Sequence, residues 1–182
     1  MKESIRLVVV VTLICLVSAL LVSLAHEITL KPIAETAKRQ KQEAILAVLP
    51  AGAPAFEELS VAVDAATTNI YWKTEKGYAM EMEAPNGYSG VIKLMLGFTR
   101  EGDFWSYKVL SHSETPGLGA HIAGSFMDNV KERSAADTKW KTTKDGGDIV
   151  PITAATISSR AVCDAINRGV KVFEAIQKKE EM

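Results

Sequence analysis

Residues 69–110 read NIYWKTEKGYAMEMEAPNGYSGVIKLMLGFTREGDFWSYKVL. Apolar, β-branched and aromatic runs are cut here by Lys76-Gly77, by Pro85-Asn86-Gly87 and by Arg100-Glu101-Gly102-Asp103, residue types that favour tight turns. Between Leu59 and Leu110 the pattern predicts an antiparallel meander of about four strands. Toward the C-terminus the period changes from two to 3.6. Ile157, Ala161, Val162, Ala165, Ile166, Val170, Phe173 and Ile176 fall on one face of a helix predicted over 156–178, with Arg160, Asp164, Arg168 and Lys171 mostly opposite. Between meander and helix, 120–133 is weakly helical and 134–148 is polar and irregular. A sheet with helices segregated beside it is an α+β domain.

Working toward the N-terminus, Leu7 to Ala25 reads LVVVVTLICLVSALLVSLA, an uncharged run broken only by Thr12, Ser18 and Ser23. As a helix it spans roughly 28 Å, close to the hydrocarbon thickness of a bilayer. Its length favours a retained transmembrane helix over the shorter apolar core of a cleaved signal peptide. Lys2 and Arg6 precede the run, which places the N-terminus in the cytoplasm and the remainder of the chain on the outer face. Pro32 suits the first turn of a second helix, from about 31 to 49, ended by Pro50 and the Ala-Gly-Ala-Pro run at 51–54. The expected organisation is an N-terminal segment (1–30) with the membrane helix, a connecting helix and linker (31–55), and one folded domain (56–182).

Composition narrows the function. Twenty-one basic side chains face 22 acidic ones, for a formal charge of −1, which gives no general attraction for nucleic acid. Cys15 and Cys163 lie far apart and support neither a disulfide framework nor a thiolate metal site. His112, Glu114 and His121 lack a tight two-His spacing on one element, so no metal is expected. Gly87-Tyr88-Ser89-Gly90 has its second glycine one place too early for a hydrolase nucleophile elbow. Lysines and arginines between 131 and 144 read as a solvated or docking surface with no binding role.

Two loops carry the chemistry. Pro151-Ile152-Thr153-Ala154-Ala155-Thr156-Ile157-Ser158-Ser159-Arg160 runs from an extended approach through small residues into hydroxyls that open the last helix. The first N–H groups of a helix lack intrahelical partners, and the dipole there favours an anion, so this is a phosphate-binding geometry or an ordinary hydroxyl cap. His112-Ser113-Glu114-Thr115-Pro116-Gly117-Leu118-Gly119 offers two glycines for close backbone approach, beside hydrogen-bonding side chains. It suits a ligand clamp or a plain strand-to-helix connection.

HSETPGLG followed by ITAATISSRAV, behind a single N-terminal anchor, resembles the flavin-binding domain of the G subunit of the Rnf electron transport complex. The C subunit of the sodium-translocating NADH:quinone reductase is its relative. The resemblance covers essentially the whole chain. In that family the last Thr of a Ser/Thr-Gly-Ala-Thr motif carries FMN through a phosphoester made by a dedicated flavin transferase that uses FAD, and the matching residue here, closing Thr153-Ala154-Ala155-Thr156, implies Thr156 as the attachment residue. The resemblance also implies that Thr153, Ala155, Ile157 and Ser158 surround the phosphate and ribityl chain, while Glu114, Thr115, Gly117, Leu118 and Gly119 lie against the flavin.

Trp72, Phe104, Trp105 and Tyr107 are expected in the core rather than beside the cofactor. Ala154 stands where the family usually has Gly, and Val150 where an acidic residue is often found, with Asp148 displaced by two. An alanine at 154 is expected to have negative φ.

The expected protein is thus a redox subunit without an active site of its own, passing electrons between neighbouring subunits of an ion-translocating ferredoxin:NAD oxidoreductase in the cytoplasmic membrane. Its FMN domain faces outward, and its partners are the other subunits, the flavin transferase during maturation and the lipid bilayer. The competing readings are an unflavinylated anchored scaffold and the equivalent subunit of a quinone reductase.

Overall fold

A computed structural model describes residues 2–50, 56–64 and 67–180. The chain divides into two compact units, Met1–Gln40 and Lys41–Met182. The described residues of the first are all helical. Helix α1 (Lys2–Ala47) runs through it and on into the second unit. Leu7, Val11, Leu16, Leu20 and Leu24 are all exposed, on every face of the helix. An apolar helix with no buried stripe is suited to lipid rather than to a protein core. Among the described residues it is the only helix long and apolar enough to cross a membrane.

One expectation is corrected here. Pro32 lies inside α1 instead of opening a second helix, although an interior proline forfeits one backbone hydrogen bond. Four residues on, the Thr36 hydroxyl donates to the Pro32 carbonyl at 2.7 Å, and the helix continues to Ala47. The Ala-Gly-Ala-Pro run read as a linker lies outside the described residues.

The second unit is α+β. Its six-stranded sheet has strands in sequence order: β1 (Glu57–Asp64), β2 (Thr67–Lys73), β3 (Gly77–Ala84), β4 (Ile92–Thr99), β5 (Asp103–Ser111) and β6 (Arg133–Ser134). Every neighbouring pair is antiparallel, as a meander requires. The sheet has more strands than the expected four. β1 begins before Leu59, and the two residues of β6 return along β5 from a stretch too polar to read as a strand. β4 also starts later than the sequence indicates. Residues 87–91 belong to the β3–β4 connection, which matters for the site below.

β4 reads IKLMLGFT and is buried along nearly its whole length, because both faces of the sheet are covered. On one face α2 (Thr156–Glu180) packs Val162, Ile166, Val170 and Phe173 into a core with Met80, Leu94, Leu96 and Phe98. Phe173 stacks on Phe98 at 5.0 Å between ring centroids. Burying each such side chain stabilises the fold by about 1.5–3 kcal/mol. The far end of α2 is tied down where the Tyr78 hydroxyl and the Lys73 ammonium both meet the Glu180 carboxylate, at 2.6 and 2.7 Å.

The other face receives the last turn of α1 and the two residues after it. Ala44, Ile45, Val48 and Leu49 form a second core with Trp72, Ala79 and Met95. Here the chain runs directly against the backbone of β4. A Cβ on Gly97 would sit 1.8 Å from the Val48 carbonyl oxygen, so only glycine fits. Lys41 ion-pairs with Glu81 at 2.7 Å, and its ammonium lies 4.7 Å from the centre of the Trp72 ring.

The weakly helical stretch after β5 is two short 3-10 helices, Gly119–Ala123 and Ser125–Asn129, and a third covers Thr143–Asp145. Phe104 and Tyr107 lie in the main core and Trp72 in the second, as expected, while Trp105 is half-buried.

Candidate functional site

The loop before α2 is held by one side chain. Ser159 accepts a hydrogen bond from the Ile152 N–H at 2.9 Å and donates to the Ala155 carbonyl at 3.0 Å, pinning the extended approach to the first turn of the helix. Ala155 N–H closes the turn onto the Ile152 carbonyl at 3.1 Å. That tight path requires a left-handed residue, and Ala154 takes it with φ +61°. The expectation of negative φ at this alanine is therefore corrected. The conformation is one that glycine adopts freely and that costs an alanine about 1–2 kcal/mol. Thr156 follows as the first residue of α2, half-buried, where unpaired backbone N–H groups gather.

The second loop is organised around Glu114, which is 4% exposed. Its carboxylate accepts from the Ser89 N–H at 3.0 Å and from the Ser158 hydroxyl, so a buried charge is paired with two donors. The loop thereby joins two others, the β3–β4 connection and the first turn of α2. Gly119 passes close beneath, and a Cβ there would meet Glu114 Oε2 at 2.7 Å and Ser158 Oγ at 2.8 Å.

Between these loops lies a cavity of about 460 Å³, within the size range of small-molecule sites. Its polar floor is Glu114, Ser158 and Thr115, and Thr156 stands on its wall. Tyr88, Leu118 and Ile157 line it with apolar surface that is also exposed, at 67%, 44% and 47%. Of the residues singled out from sequence, the cavity brings together Glu114, Thr115, Leu118 and Gly119 with Ala155, Thr156, Ile157 and Ser158. Gly117 and Thr153 are not part of its lining: Gly117 turns at φ +75° with nothing near its missing Cβ, and Thr153 is exposed. Val150 is exposed, and the displaced Asp148 accepts from the Lys139 N–H at 2.7 Å.

Sequence reasoning misses two lining residues. Tyr88 reads as part of a strand, but it lies in the connection that Glu114 holds through the neighbouring Ser89. Lys144, which reads as part of a solvated polar stretch, places its Nζ 3.1 Å from Thr156 Oγ1. It is the one cation among the described lining residues. Its neighbour Asp145 receives both Arg160 Nε and Nη2 at 2.7 Å, and this pairing, with a hydrogen bond from Thr142, holds the Asp145 carboxyl down at about 2. Nearby Cys163 is buried, which pushes its thiol up to about 12 and keeps it un-ionised at neutral pH.

Residues 87–171 match the family described as the FMN-binding domain, a span holding both loops and the cavity. A Pseudomonas aeruginosa protein, named as the G subunit of an ion-translocating oxidoreductase complex, is 30% identical over 194 aligned positions, covering 96% of this chain and 90% of its own length. The Cereibacter sphaeroides protein of that name is 33% identical over 176 positions, covering 89% and 80%. In Shewanella oneidensis the identity is 42% over 101 positions, about half of each chain. With its apolar helix, its FMN-binding domain and a likeness covering nearly all of this chain and most of the Pseudomonas aeruginosa and Cereibacter sphaeroides proteins, this chain belongs to the family of the G subunits of ion-translocating oxidoreductase complexes.

Proposed function

We propose that this chain is a membrane-anchored electron-transfer subunit of an ion-translocating oxidoreductase complex, carrying FMN joined through its phosphate to Thr156 Oγ1. The observation that carries the reading is the position of Thr156. Its hydroxyl opens α2 at the wall of a cavity whose other members suit each part of the cofactor. The helix N-terminus and Lys144 offer an anion-stabilising end. Tyr88, Leu118 and Ile157 offer apolar surface for a flat ring, and Glu114 and Thr115 offer hydrogen bonds.

FMN supplies the redox chemistry when bound. The chain's residues do the rest: they fix where the cofactor sits, how much water reaches it, and how it is oriented toward neighbouring subunits. The Glu114–Ser158–Ser89 cluster makes this a positioned site by tying three sequence-distant loops together. A covalent tether suits a subunit whose sheet-bearing unit stands outside the cytoplasmic membrane, where a dissociated cofactor is lost to dilution. Lys2 and Arg6 before the span favour that orientation. Esterification would exchange the Thr156 hydroxyl proton for the flavin phosphate, with FAD as donor to the transferase and AMP leaving.

The test is in-gel flavin fluorescence on denatured chain, co-produced with an active flavin transferase. A fluorescent band that disappears in Thr156→Ala supports the ester. A wild-type band with no fluorescence, on chain taken from flavin-replete membranes, contradicts it.

A further inference from the structure

The 3-10 helix Thr143–Asp145 offers the cavity a charged group that neither the sequence motif nor the family likeness assigns. We propose that Lys144 is the phosphate-binding residue of this site, and that the Asp145–Arg160 ion pair is the device that positions it. The inference rests on the reading of the cavity as an FMN site and adds the residue that recognises the phosphate.

The ordinary fate of a surface lysine is to wave in solvent, so the case turns on what holds Lys144 in place. Its turn is closed by backbone hydrogen bonds from Thr143 N–H to the Ile149 carbonyl at 2.8 Å and from Asp145 N–H to the Thr142 carbonyl at 2.8 Å. Thr142, at 1% exposure, anchors the turn from below and donates its hydroxyl to Asp145 Oδ2 at 2.5 Å. The same carboxylate takes the two-pronged contact from Arg160, a geometry that fixes orientation as well as distance. Arg160 lies one helical turn beyond Thr156 on α2. The element bearing the lysine is thus docked on the helix bearing the hydroxyl.

Charge partition gives the second reason. Asp145 is taken up by Arg160, and no carboxylate among the described residues ion-pairs with Lys144. The ammonium therefore reaches the cavity with its charge available, and its hydrogen-bond partner there is Thr156 Oγ1. A phosphate attached to that oxygen, or resting beside it before attachment, falls within reach of the same Nζ. Lysine suits this as a point charge with three donors, needing no fixed approach direction.

The experiment uses full-length chain in detergent, produced without a flavin transferase, and titrates it with FMN and separately with riboflavin, following quenching of flavin fluorescence. Riboflavin has the ring and ribityl chain but no phosphate. Lys144→Gln is expected to weaken FMN about tenfold and leave riboflavin unchanged, with Lys144→Arg restoring most of the loss. Arg160→Gln is expected to show the same FMN-selective loss and to add little on top of Lys144→Gln, because both act through one group.

Equal losses for the two ligands, or no loss for FMN, would overturn the assignment of Lys144. An FMN-selective loss in Arg160→Gln that adds in full to that of Lys144→Gln would overturn the positioning role. Riboflavin binding by each variant verifies that the cavity is folded. A wild-type chain that binds riboflavin but does not prefer FMN removes the phosphate site and leaves the flavin pocket; one that binds neither removes both.

Discussion

The Ser158 hydroxyl donates to the carboxylate of Glu114, joining the first turn of α2 to the loop after β5 across 44 positions of sequence. Both side chains are buried, at 1% and 4% exposure. Ser158→Ala removes one of the donors that pair this charge and is expected to destabilise the domain by about 1–3 kcal/mol. The measurement is the urea midpoint of the full chain against wild type. A midpoint unchanged in Ser158→Ala would show that the contact does not hold the loops together.

Ala154 carries a left-handed backbone on an L side chain. Ala154→Gly relieves that strain at some cost in unfolded-chain entropy, and the net is a stabilisation of about 1 kcal/mol. Ala154→Val, β-branched at the same φ, goes the other way and by more. Denaturant unfolding of the two variants checks the order; a glycine variant less stable than the alanine would contradict it.

Gly97 marks where the end of α1 touches the sheet. With the Val48 carbonyl oxygen 1.8 Å from where its Cβ would be, Gly97→Ala is expected to push that end away from β4 and cost about 3 kcal/mol. Trp72 reports the event, since it shares the cluster with Val48 and Leu49. A red shift of tryptophan emission is expected alongside the loss of stability, and unaltered emission at full stability would refute it.

The Asp145 carboxyl titrates at about 2 in the folded chain, against 3.8 ordinarily, because Arg160 and Thr142 hydrogen-bond its charged form. A depressed carboxylate stabilises the fold above its ordinary value and loses that contribution as pH falls through the folded one. The stability difference between wild type and Asp145→Asn is thus expected to be full above pH about 4 and to vanish as pH approaches about 2. Unfolding measured across that window tests it, and a difference independent of pH would contradict the pairing.

The parts of the fold that depend on local period are legible in the sequence. Residues 156–178 carry a 3.6-residue apolar stripe, and the structure has α2 from Thr156 to Glu180. The long uncharged run from Leu7 announces its helix in the same way. β4 is harder to delimit, because a strand covered on both faces loses its alternation, so the loop residues 87–91 merge with it. Tyr88 escapes notice for that reason.

Lys144 is hidden for a different one. Its place beside Thr156 depends on a turn docked by Arg160, and no periodicity reports a contact between an irregular stretch and a helix. The left-handed backbone at position 154 is likewise set by the Ser159 lock, so an alanine there gives no outward sign of it.

The central claim is tested most directly by the mass of one peptide. Trypsin, cutting after Lys144 and Arg160, releases residues 145–160, DGGDIVPITAATISSR, which hold the proposed attachment residue. From chain isolated with its complex out of native membranes, this peptide is expected to be heavier by one FMN less one water, with fragmentation placing the addition on Thr156. The bare peptide mass, or an addition on Thr153, Ser158 or Ser159, would contradict the account.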